Sequence, residues 1–238
     1  MDLVHGNDVV PVTLILPPTG ERTAVILLLH GLSSNKERMS SSAGRVLASR
    51  GFASLAIDLP LHGERRGGNP REMLSNPLAL VGAWRSAVTE VGDVVTWLEA
   101  QPSVDGSRIG VLGYSLGGFL ALMAAANDDR LRVVALAAAG DLPDATPYAS
   151  MVRALVDPPR AARKLRGRPL LLVNGRWDTT TRPAQAERLF AAAGEPKTML
   201  WYDGGHWPPA ACVNETVDWL QSELDLLASD TDSGRRTS

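Results

Sequence analysis

The sequence predicts an α/β fold, a mostly parallel twisted sheet flanked by helices, and three observations predict it. Short apolar runs alternate along the chain with longer amphipathic stretches, the pattern of strand–helix–strand units. Several of those runs carry no polar alternation, as strands covered on both faces should. The 238 residues suit one domain of this class, and no repeat or linker divides them.

Strands are expected at 9–16, 24–30, 53–57, 108–112, 133–138, 169–173 and 197–201. Trp84, Val88, Val91, Val95 and Leu98 step by four and three, one apolar stripe of a 3.6-residue period. Val213, Val217, Leu220, Leu224 and Leu227 repeat that stripe in a last helix. Further helices are expected over 39–50, closed by Gly51, and over 183–193, closed by Gly194. Residues 62–77, rich in glycine, proline and charge, read as a long loop. Residues 140–167 carry Pro143, Pro147, Pro158 and Pro159 and read as a small or minimal cap, with short helices near 149–156 and 160–165. The domain is placed at 1–228 and the wholly polar tail 229–238 as disordered.

Composition excludes several functions. A net charge of −2 leaves no basic surplus for nucleic acid or an anionic membrane. The apolar run 24–29 is far shorter than the ~20 residues of a membrane span, no targeting pattern is present, and a cytoplasmic location is expected. The single cysteine, Cys212, excludes an internal disulfide and a four-cysteine zinc site. No metal or organic cofactor is expected. Histidine chemistry has four candidates: His5, His30, His62 and His206.

Gly113-Tyr114-Ser115-Leu116-Gly117-Gly118 matches the G-x-S-x-G turn that projects a nucleophilic serine, with an expected strand before it and a helix, 117–127, after it. A serine hydroxyl is a poor nucleophile and needs a base held by a third group. His206, in Asp203-Gly204-Gly205-His206-Trp207, follows the last strand; the other histidines precede Ser115. Asp178 follows strand 169–173 and is the expected acid, with Asp141, Asp144, Asp157 and Asp203 as rivals. The oxyanion of acyl transfer needs donors in place before it forms. The backbone N–H groups of Leu116 and Leu32 are expected to serve, with Ser33 as runner-up to Leu32. His30 reads as a structural hydrogen-bonding residue.

In order, His30-Gly31, Gly113-x-Ser115-x-Gly117, Asp178 and His206 resemble the α/β-hydrolase superfamily. Within it, 30–36 and Asp58-Leu59-Pro60-Leu61-His62-Gly63-Glu64-Arg65 look most like the branch of dienelactone hydrolases and prolyl-oligopeptidase-like esterases. Dienelactone hydrolases carry a cysteine nucleophile where this chain has Ser115, so the resemblance implies a serine carboxylesterase acting on small to medium ester substrates through an acyl-enzyme. Thioesterase, peptidase or acyltransferase chemistry would use the same triad. A non-catalytic ligand-binding protein on this fold is the alternative of another class. Ser33, Arg65, Tyr114, Met151, Trp177 and Trp207 are placed at the substrate, with Val152 and Leu155 beside Met151 in the cap. Arg65 would pair with a substrate carboxylate or belong to a solvated basic loop. The two tryptophans would wall a pocket or fill core. Oligomeric state is not legible.

Overall fold

In the computed structural model, residues 2–5, 8–18, 20–65, 77–144, 152–154 and 156–235 are described. Eight strands form one sheet among them: β1 (Asp2–His5), β2 (Asp8–Ile15), β3 (Thr23–Leu29), β4 (Ala53–Ile57), β5 (Val104–Tyr114), β6 (Leu131–Ala137), β7 (Leu170–Gly175) and β8 (Lys197–Tyr202), in the order β1-β2-β4-β3-β5-β6-β7-β8. β1–β2 and β2–β4 pair antiparallel, and every other pairing is parallel. The helices are α1 (Lys36–Met39), continued through a π turn at Ser40–Gly44 into α2 (Arg45–Ser49), then α3 (Pro77–Glu99), α4 (Leu116–Ala125), α5 (Pro158–Arg163), α6 (Pro183–Ala192) and α7 (Ala210–Arg235).

Alternation along β3 divides the core in two. Val25, Leu27 and Leu29 point into the layer under α3, α4, α5 and α6, while Ala24, Ile26 and Leu28 point into the layer under α2 and α7. All seven β3 residues are buried, as a doubly covered strand requires. The expected stripes face these layers: Val91, Val95 and Leu98 of α3 are fully buried on one side, Val217, Leu220 and Leu224 of α7 on the other.

From β3 the chain steps to β4 on one side, then crosses back so that β5 lies on the other. The order reverses between β3 and β5, and a crevice opens there beyond the carboxyl ends of the strands. Leu29 pairs with Gly113 in this register, so the turns leaving both strands emerge side by side.

The structure departs from the sequence reading in four places. β1 was not expected. The helix expected from 39 begins at Lys36, because Asn35 caps it by accepting from the Arg38 N–H. β5 starts at Val104, four residues early, through the polar Asp105-Gly106-Ser107-Arg108. α7 runs to Arg235 and takes in 229–235, the greater part of the tail expected to be disordered. Its packed apolar stripe ends near Leu227, and beyond it each further turn adds hydrogen bonds to an existing helix without a new nucleus. The expected loop portion 66–76 and, within the expected cap, 145–151 and 155, with Met151 and Leu155, lie outside the described residues.

Candidate active site

β5 ends at Tyr114, α4 begins at Leu116, and Ser115 between them stands at φ 52°, ψ −114°. That backbone is sparsely populated by L-residues, and it aims the side chain out of the turn. Two glycines make the turn possible. A Cβ on Gly113 would lie 2.2 Å from the Gly117 carbonyl oxygen, and one on Gly117 would lie 2.2 Å from that of Leu29.

His206 meets Ser115 from the β8–α7 loop. Its Nε2 lies 2.9 Å from Ser115 Oγ and its Nδ1 2.7 Å from Asp178 Oδ2. Asp178 is 2% exposed, and its other oxygen accepts the N–H groups of Thr180 and Thr181 at 2.7 and 3.0 Å. The carboxylate is thus held from one side and presents one oxygen to the imidazole, which fixes Nδ1 as the protonated nitrogen and leaves Nε2 to accept from Ser115. The loops that carry Asp178 and His206 touch directly: Trp177 N–H donates to the Gly204 carbonyl at 3.0 Å, and a Cβ on Gly175 would lie 2.2 Å from the Gly205 carbonyl oxygen. Tyr202 and Tyr114 tie down the histidine loop, their hydroxyls donating to the carbonyls of Gly205 at 2.8 Å and His206 at 3.2 Å. Burial, with smaller contributions from neighbouring charges, raises both phenols above their ordinary range, so both remain donors.

Each rival to Asp178 is engaged elsewhere. Asp141 pairs with Arg153 and Arg188, and Asp144 with Arg188. Asp157 caps α5, and the exposed Asp203 pairs with Arg176.

After β3 the chain turns at Gly31–Ser34, closed by a Ser34 N–H to Gly31 carbonyl bond and a Ser33 φ of 60°. The Tyr114 ring lies where a Gly31 Cβ would be, 2.7 Å from that position, and so brings this loop against the serine turn. Among the described residues no protein group accepts the N–H of Leu32, nor that of Leu116 at the first position of α4. His30, fully buried, donates from Nδ1 to the Gly31 carbonyl at 2.8 Å and accepts at Nε2 the Leu59 N–H at 3.1 Å. Burial above all, with His62 adjacent, lowers its pKa to about 4, and it is neutral at physiological pH. His62 is also buried, donating from Nδ1 to the Pro60 carbonyl.

A buried charge cluster beneath this loop joins residues to which the sequence reading assigns no role. Lys36 Nζ bonds Asp58 at 3.2 Å and also reaches Glu64 and Glu37; the N–H groups of Lys36 and Glu64 donate to the same Asp58 carboxylate at 2.9 and 3.0 Å. Asp58 is fully buried and Lys36 4% exposed. Burial disfavours both charges, but these bonds outweigh it and hold the ammonium pKa above and the carboxylate pKa below their ordinary values. The cluster locks the loop after β3 to the loop after β4.

Of the expected pocket residues, Trp207 is largely exposed, stacks on Tyr114 at 5.0 Å between centroids, and lies under the Arg38 guanidinium at 4.8 Å. Trp177 is exposed beside Asp178, so neither tryptophan is core. Arg65 is a correction. Its guanidinium is buried against both oxygens of Glu90, at 2.8 and 2.9 Å, and against the Asp58 carbonyl, so it belongs to the scaffold and not to a substrate. A buried guanidinium requires such a partner, and Glu90, on α3, is distant in sequence. Val152 is half-buried in its short helical segment. Among the described residues, no three His, Cys, Asp or Glu side chains are grouped to hold a metal ion.

A mostly parallel sheet with a half-buried serine at the strand–helix turn of its switch point, faced by a histidine and a buried aspartate, defines the α/β-hydrolase class. The chain belongs to the Alpha/beta hydrolase family, which it matches over residues 26–220. It is 25% identical to the putative esterase YitV of Bacillus subtilis, over 84% of this chain and 89% of that protein. It is 33% identical to the polyketide transferase ATR5 of Stachybotrys chlorohalonatus, over 50% of this chain and 37% of that one. The chain spans about two fifths of the length of several curated relatives it matches. Its fold is similar to that of a cold-adapted esterase from an Arctic intertidal metagenomic library, with a TM-score of 0.75, 24% identity, and 94% and 92% of the two chains covered.

Proposed function

We propose that the protein is a serine hydrolase that cleaves carboxylic esters of small to medium size through an acyl-enzyme. The observation that carries this reading is the continuous hydrogen-bond relay from Asp178 through His206 to Ser115, at 2.7 and 2.9 Å. Ser115 attacks the ester carbonyl as His206 Nε2 takes its proton, and Asp178 stabilises the imidazolium that results. The oxygen that gains charge lies between the N–H groups of Leu32 and Leu116; one such donor is worth ~10²–10³ in rate. His206 then returns the proton to the leaving alcohol, and water repeats the sequence to release the acid. The putative esterase among the relatives supports an ester over a peptide substrate.

Hydrolysis of p-nitrophenyl esters from acetate to octanoate, by wild type and Ser115→Ala, tests the reading. The short esters are turned over fastest and the variant loses turnover. A folded wild type that cleaves none of them overturns the proposal. A rate maximum at octanoate overturns the small-substrate part.

A further inference from the structure

Beside the triad, between the sheet, α1 with the π turn that follows it, and α7, lies a cavity of about 320 Å³. Leu112, Tyr114 and Val173 line it from the sheet, Met39 from α1, Val213 from α7, and Trp207 from the loop before α7. Its volume is at the lower end of ligand cavities, about 300–1,000 Å³, with room for about ten water-sized groups. Its polar lining includes Ser34, Arg38 and Ser42. Ser42 spends its hydroxyl on the Arg38 carbonyl. Arg38 lies across the Trp207 ring and, among the described residues, pairs with no carboxylate. A cation held in place over an aromatic wall, at the mouth of an apolar cavity, suits a ligand that is apolar along its body and anionic at its far end.

We propose that this cavity receives the alcohol half of the ester, that this half is a compact, planar apolar body, and that Arg38 pairs with a carboxylate at its far end. The inference rests on the esterase reading above. Acylation breaks the bond between the carbonyl carbon and the alcohol oxygen and forms the bond to Ser115 Oγ; the serine proton passes through His206 Nε2 to the departing oxygen. The alcohol therefore leaves on the His206 side. That side of the triad borders the cavity: the rings of Tyr114 and Trp207 lie 5.4 and 6.3 Å from the imidazole.

With acetate as the common acyl group, kcat/KM reports only steps at which the alcohol is still attached. The probes are 4-acetoxybenzoate and its uncharged methyl ester. Their intrinsic reactivities are the same for every protein, so the readout is the change in their rate ratio. Arg38→Ala lowers the preference for the carboxylate about fivefold, as for an exposed ion pair, and added salt lowers it in the wild type. A ratio unmoved by either overturns the assignment of Arg38. Val213→Trp, which fills the cavity, slows aryl acetates relative to ethyl acetate and leaves the acyl-chain profile of a common alcohol as it was. A changed acyl profile instead would put the acyl half in the cavity and overturn the proposal.

A binding measurement separates this inference from the esterase reading. Cys212, the only cysteine of the chain, lines the cavity. In Ser115→Ala, 4-hydroxybenzoate slows its alkylation by iodoacetamide saturably, and adding Arg38→Ala removes the protection. Absence of protection overturns the site whatever the activity. Protection in a protein that turns over no ester upholds the site and refutes the esterase.

Discussion

Ser115 holds a backbone conformation that favours glycine, at φ 52° and ψ −114°, a strain of about 1–3 kcal/mol. Relieving it separates stability from function. Ser115→Gly is more stable than Ser115→Ala by about 1 kcal/mol in urea denaturation, and neither variant hydrolyses ester. Equal stabilities would mean that the turn stores no strain. In the proposed mechanism Asp178 acts through orientation. In Asp178→Asn an amide N–H faces Nδ1, the imidazole is driven to the other tautomer, and kcat falls ~10⁴-fold with the fold intact, measured with p-nitrophenyl acetate. The three residues that the hydrogen-bond relay joins could be read from the sequence because the proposed chemistry dictates their types and the topology their order. Arg65, Lys36 and Arg38 were not. The first two are buried by partners distant in sequence and the third lies over Trp207, and nothing local distinguishes such charges from solvated ones.

At the scale of elements, close backbone approach is the limiting quantity. The second glycine of the serine turn carries the start of α4 past the end of β3, so Gly117→Ala costs about 3 kcal/mol or more, read as lost soluble yield or a collapsed thermal transition. Lys36→Met leaves the Asp58 carboxylate buried without its cation and costs about 3–5 kcal/mol by urea denaturation. Adding Asp58→Asn recovers part of that loss, because the two residues are coupled; full additivity would count against the cluster. The central strands and the helices α3 and α7 could be read from periodicity because each buries a continuous face. β1 could not: Asp-Leu-Val-His has no run of its own, and its pairing with β2 makes it a strand. The early start of β5 hid in polar residues for the same reason.

Across the whole molecule, acid stability turns on a buried neutral imidazole. His30 has its pKa lowered to about 4 by burial, against an unfolded value near 6.5. Between those values the unfolded chain binds the extra proton, so stability is full above pH 6.5 and falls as the pH drops toward 4, by about 3 kcal/mol in all. The buried carboxylates with lowered values, Asp58 and Asp141 among them, lose their contribution only below that window. Urea midpoints from pH 7 to 4 give this slope, and His30→Asn flattens it. The sheet brings loops from four of its strands to one edge, where Ser115, Asp178, His206 and the turn that carries Leu32 meet, and the proposed chemistry depends on that convergence. Labelling with a fluorophosphonate, located by peptide mass, tests it most directly. The account predicts a single adduct on Ser115, absent in Ser115→Ala and formed far more slowly in His206→Ala. A folded wild type that stays unlabelled, or carries its adduct on another residue, would contradict it.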